Sequence, residues 1–141
     1  MKNILRKIFS TSFDIQLIHS LLLMLRIGVS ALMLTHGLPK LSKLIEGNLQ
    51  FPDPLGIGMA SSLVLAVFAE AICSFLILFG VATRIATIPL IITMATAAFV
   101  VHLEDPFNKK ELPILYILIY LTILILGSGK FAIDNWIHKK L

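Results

Sequence analysis

Residues 60–79, ASSLVLAVFAEAICSFLILF, decide the reading of this chain. Twenty residues with a single charge make a helix about 30 Å long at 1.5 Å per residue, which is the thickness of a bilayer's hydrocarbon core. The one charge, Glu70, falls near the middle, about 15 Å from either end. An acid at that depth must be protonated, paired or facing water. Small and weakly polar residues (Ser62, Ala66, Ala69, Glu70 and Cys73) recur at helical spacing. The other side carries Val64, Phe68, Ala71 and Phe75, which suit lipid. Helices in lipid pack through such small-residue faces, because acyl chains are as apolar as leucine. Glu70 should therefore lie at the edge of a packing face.

Working outward, three more segments read as spans. One covers about 17–38 and holds Arg26 and His36; a third covers about 84–101, behind the short turn GVAT; a fourth covers about 113–126. Gly80 should end the second helix, and Thr83 should cap the third. The first can bend or end at HGLPK, because proline blocks the hydrogen-bond ladder and glycine permits turning, and Pro113 should begin the fourth. Matching stripes run through His19, Arg26, Ser30, Met33 and Gly37, through Ala86, Pro89, Thr93, Ala97 and Val100, and through Tyr116, Tyr120, Ile123 and Gly127. The expected fold is all-α, an integral membrane four-helix bundle. Residues 1–16 form a basic N-terminal segment, 17–130 the four-span domain, and 131–141 an interfacial tail anchored by Phe131 and Trp136.

Composition agrees. The chain of 141 residues is 57% hydrophobic and 14% charged, against about 25% charged in soluble domains. Too few charges remain to cover a globule, so lipid must solvate much of the surface. The net charge of +4 sits outside the apolar runs, which argues against a nucleic-acid partner. With four spans, Lys2, Arg6, Lys7, Arg84, Lys130, Lys139 and Lys140 share one side, seven in all; Lys40, Lys43, Lys109 and Lys110 share the other, four in all. The positive-inside bias places both termini in the cytoplasm. Cys73, the only cysteine, excludes an internal disulfide and a Cys-x-x-Cys pair.

Depth in the bilayer singles out the candidate polar groups. Arg26 is the expected partner of Glu70, because counting from Leu17 puts both near the midplane. His36, Tyr116 and Tyr120 join them as an intramembrane site, the tyrosines able to hydrogen-bond a quinone-like carbonyl. His102 and Glu104 form an outer polar group, with hydrogen bonding favoured over metal ligation because no ligand spacing is present. Arg84 and Asp134 form a structural pair stapling the tail to the bundle. No nucleophile–base arrangement, phosphate loop or metal motif is readable.

The succession Leu25-Arg26-Ile27-Gly28 leading to His36-Gly37-Leu38-Pro39-Lys40 resembles the DoxX family of small membrane proteins. So do Glu70 with, after it, Leu78-Phe79-Gly80-Val81-Ala82-Thr83-Arg84, then Thr93-Met94, His102 and Gly127-Ser128-Gly129-Lys130-Phe131-Ala132-Ile133-Asp134. Pro39 departs from the pattern. The resemblance spans about residues 21–134. It implies a multi-pass bundle in the prokaryotic cytoplasmic (inner) membrane, linked to quinone-dependent redox or oxidative-stress complexes. It is also similar in plan to vitamin K epoxide reductase-like bundles, whose cysteine pairs this chain lacks. The expected function is an accessory subunit of a membrane redox system rather than an enzyme alone. Its polar site lies around Arg26, His36 and Glu70; a quinone is the one candidate cofactor, and beside the lipid bilayer the candidate partners are other redox subunits or further copies of the chain. The alternatives are a non-catalytic membrane scaffold or assembly factor, and a small proton-coupled transporter.

Overall fold

The computed structural model describes residues 14–140. Most of the basic segment 1–16, with Lys2, Arg6 and Lys7, lies outside the described residues. Within them the chain is all-helical, without strands: α1 Ile15–Ile45, α2 Met59–Phe79, α3 Thr83–Val101, α4 Phe107–Leu126 and α5 Ile133–His138. α1, α2 and α3 are each long and apolar enough to cross a membrane. α4 carries Lys109, Lys110 and Glu111 near its start and is apolar thereafter.

The helices pack in chain order, α1 on α2, α2 on α3 and α3 on α4, and α4 returns to α1. The core is built from Val29, Met33, Cys73, Ile77, Leu90, Met94, Tyr120 and Ile123. The outside is apolar too: Leu21, Met24, Leu65, Phe79, Ile85, Ile92, Leu118 and Ile125 are all exposed. Soluble monomers do not expose contiguous apolar surface on this scale, whereas a bilayer solvates it. The molecule is a helical membrane bundle.

Two expected boundaries move. α1 does not stop at Pro39 but continues to Ile45 with the proline inside it. The ring removes only the bond to the Thr35 carbonyl, and the stripe Arg26, Ser30, Met33, Gly37 extends in phase to Lys40. Burial of that face outweighs one missing bond. α4 likewise starts at Phe107, with Pro113 inside it. Its polar first turns are helical outside the apolar run, which hydropathy does not mark.

Two stripes also shift. Ala71, expected toward lipid, is buried, and Val100, expected inside, is exposed. Each lies in a π-helical turn, Phe68–Cys73 in α2 and Ala97–Val101 in α3. A π turn inserts a residue into the 3.6-residue repeat and rotates the rest of the helix about its axis. α3 buries Ala86, Leu90, Met94 and Ala98, a row that leaves the expected one at Leu90, before its π turn begins.

Candidate functional site

α1 and α2 meet closely enough for only hydrogen at Gly37. A methyl group there would come within 2.6 Å of the Glu70 backbone carbonyl and 2.7 Å of Ala71 N. Side chains on a helix lean toward its N-terminus, so Glu70 reaches away from Gly37 toward the next turn of the antiparallel α1. Lys40 waits there. Its Nζ donates to Glu70 Oε1 and Oε2 at 2.5 and 2.6 Å. The Glu70 side chain is 4% exposed and that of Lys40 27%. The ion pair is thus buried at one end and reachable at the other, with Lys40 Nζ 5.6 Å from the Phe51 ring centroid.

Arg26, the expected partner of Glu70, is elsewhere. Its guanidinium is buried at the opposite end of α2, where Nε donates to Ile77 O (2.9 Å) and Nη2 to Leu78 O (3.0 Å). Nη1 donates to Ser128 O (2.7 Å) and Phe131 O (3.2 Å). Four carbonyls satisfy the planar fork, two of them at the negative end of the α2 dipole. Gly80 makes room for it with φ +72°, since a methyl group there would lie 2.5 Å from Arg26 Nη2. Ile77 lies seven residues past Glu70, so about 10 Å of helix separates the two charges. The depth estimate failed because α1 starts before the helices it packs on.

The expected Arg84–Asp134 pair also gives way to helix-end chemistry. Asp134 Oδ1 accepts from Ala82 N (2.7 Å), and Oδ2 accepts from Thr83 N (3.0 Å) and Thr83 Oγ1 (2.8 Å). This carboxylate caps α3 from the far end of the chain, because Ala82, not Thr83, is the N-cap residue. Arg84 Nη2 instead donates to Ile125 O at 3.2 Å. Unsatisfied backbone groups at helix ends claim both side chains.

Of the outer polar group, His102 takes Asp105 rather than Glu104. His102 Nδ1 lies 2.7 Å from Asp105 Oδ2, and Lys109 Nζ is 3.1 Å from Asp105 Oδ1. Those two neighbours, His102 foremost, hold the Asp105 carboxyl below its ordinary value. Glu104 stays exposed. Among the described residues no three His, Cys, Asp or Glu side chains are grouped to hold a metal.

His36 and Tyr116 meet edge to face with ring centroids 6.4 Å apart, and Tyr120 stacks under Tyr116 at 6.1 Å. Tyr120 is fully buried. His36, Lys40, Glu70, His102, Asn108 and Tyr116 line a cavity of about 390 Å³ between α1, α3 and α4. A second cavity of about 290 Å³ lies on the other side of Lys40 and Glu70, under the loop bearing Phe51. Both π turns border it, since Glu70 stands in one and Ala97 in the other. Such turns are frequent at functional sites.

The structure therefore brings His36, Glu70, Tyr116 and His102 around one space and leaves Arg26, Arg84 and Asp134 at the other end. Lys40 is the residue that sequence reading missed. Its place three residues after Gly37, in phase with Arg26, Ser30 and Met33, was the signal.

A DoxX family model matches residues 21–103, more than half of the chain. A Bacillus subtilis (strain 168) protein named "Putative oxidoreductase CatD" is 31% identical over 118 residues, 83% of this chain and 87% of that protein. Two Haemophilus influenzae Rd proteins described only as uncharacterized are 30% identical over 95 residues (64% of this chain, 63% of theirs) and 32% over 127 (82% and 90%). No solved structure matches. The helical membrane bundle and the matched segment, which contains the whole of α2 with Glu70, lead to one conclusion: this chain belongs to the DoxX family.

Proposed function

We propose that this protein is an accessory subunit of a quinone-linked redox or oxidative-stress system in the prokaryotic cytoplasmic membrane. It crosses that membrane four times with both termini in the cytoplasm, and its working site is the polar group around Glu70. The observation that carries this reading is the Lys40–Glu70 pair, its carboxylate buried within the bundle and its ammonium half-buried, on the wall of two cavities. Removing one partner of a buried pair costs about 3–5 kcal/mol, and hydrophobic replacements of both are often neutral. A chain that only needed to pack would have a cheaper solution at this depth. The name of the Bacillus relative supports redox work in the same direction. Arg26, once its contacts are known, belongs to the scaffold of the site rather than to its chemistry.

The test is oxygen uptake by membranes of a deletion strain of the source organism given a quinone-reducing substrate. Uptake should fall on deletion, return with the wild-type gene, and fail to return with Glu70→Gln at equal membrane abundance. Full uptake in the deletion strain would overturn the reading. Full rescue by Glu70→Gln would move it to a scaffold.

A further inference from the structure

Thr83-Arg84 and Gly127-Ser128-Gly129, two stretches that the site around Glu70 does not use, converge at the other end of the bundle. With one side of α5 they line a cavity of about 640 Å³. Its ionisable side chains are Arg84, Asp134 and His138. Asp134 is spent, since both its oxygens hold the start of α3, whose first amides are thereby satisfied. Arg84 is not. Nη2 donates to Ile125 O, and the other N–H groups of the fork, like the His138 ring, have no hydrogen-bond partner among the described residues. Gly127 makes room for this guanidinium, because a methyl group there would lie 3.3 Å from Nε and Nη2. Behind the same loop Arg26 adds a second positive charge, donating to Ser128 O.

α5 sets the depth of this cavity. Asp134, Asn135 and His138 line it, whereas Ile133, Trp136 and Ile137, one apolar row at i, i+3 and i+4, do not and are 41%, 59% and 42% exposed. Lys140 Nζ lies 3.7 Å from the Trp136 ring centroid. An uncovered apolar row with a tryptophan, at the ends of the bilayer-length helices α2 and α3, marks the headgroup layer. Phosphates are the anions of that layer, and a guanidinium fork pairs with two phosphate oxygens at once. We propose that this cavity binds a phosphate group through Arg84 and His138, carried either by an anionic membrane lipid or by a small soluble phosphate ester. The site is separate from Lys40 and Glu70 and does not depend on the redox reading.

The test uses the full chain purified in detergent. Native mass spectrometry with equal amounts of phosphatidylglycerol and phosphatidylcholine reads the lipid arm, and equilibrium dialysis against radiolabelled glycerol 3-phosphate reads the soluble arm. Arg84→Gln, His138→Glu and Lys139→Gln each lower the formal charge by one, but only the first two lie in the cavity. His138→Glu removes no hydrogen bond of the fold, so it stands if Arg84→Gln fails to fold. Wild type should hold phosphatidylglycerol about fivefold more tightly than phosphatidylcholine, as one basic group on an anionic headgroup predicts. Both cavity variants should bring the two lipids to parity, while Lys139→Gln keeps the preference. Saturable glycerol 3-phosphate binding with the same dependence on the three variants, in place of the lipid preference, assigns the site to the soluble ester. Absence of both kinds of binding, survival of either in a folded cavity variant, or equal loss in all three variants overturns the proposal.

Discussion

At the scale of single residues, four charged groups have three different reasons to be where they are. Glu70 and Lys40 hold each other, Arg26 holds four carbonyls, and Asp134 holds two amides and a hydroxyl. Only the first pair has no backbone task. Glu70→Gln or Lys40→Met alone should destabilise the protein in detergent by about 3 kcal/mol, because each leaves a charge uncompensated. The double variant should recover much of that loss. Thermal unfolding of the four proteins checks this, and a double variant as unstable as the sum of the singles would refute the coupling. Glu70 was legible as a candidate from its depth. Its partner was not, because the choice between Arg26 and Lys40 depends on how far α1 has slid along α2.

At the scale of elements, the α1–α2 contact depends on Gly37. Gly37→Ala places a methyl group 2.6 Å from the Glu70 backbone, and no flexible side chain is there to yield. Overpacking of this kind costs about 1–3 kcal/mol. The expected outcome is a lower melting temperature together with weakened Lys40–Glu70 coupling in the double-variant comparison above. Unchanged stability would mean that α1 can move away freely.

The loop before α2 depends on Asp53. Its carboxylate accepts from Ser62 Oγ at 2.8 Å, Gly58 N at 2.8 Å and Ile57 N at 3.0 Å. These bonds, the Ser62 hydroxyl first, lower its pKa from the ordinary 3.8. A depressed carboxyl contributes above its ordinary pKa and loses that contribution as pH falls through the lowered value. Protection factors of the residue 48–58 amides, that is, exchange relative to the intrinsic rate at each pH, should therefore fall below about pH 4 in the wild type. In Asp53→Asn they should already be low at pH 7, with little further change on acidification. Protection factors in the wild type that stay constant down to pH 2 would contradict the capping role.

At the scale of the whole molecule, the two ends of the bundle do different work. One end is closed by Arg26, Gly80, Asp134 and the backbone of the tail, which ties α1, α2, α3 and α5 together. The other end holds the polar pair and the two cavities beside it. Asp134→Ala removes the α3 cap and one tie of the tail, at a cost of about 1–2 kcal/mol. Limited trypsin digestion in nanodiscs should then cut after Lys130 faster than in wild type, while the Lys40–Glu70 coupling measured by the double-variant comparison stays unchanged. Simultaneous loss of that coupling would show that the ends are not independent.

The amino-acid sequence by itself determined that this polypeptide lives in lipid, where its long helices run, and that Glu70 could not be an ordinary surface acid. Hydropathy and helical period act over a few turns, so those conclusions needed no partner. The passage of α1 through Pro39 and of α4 through Pro113, the rows that α2 and α3 bury, and the identity of the cation facing Glu70 were decided only by tertiary structure. Each depends on the relative sliding and rotation of two helices, which is set by burial against a neighbour far away in the chain.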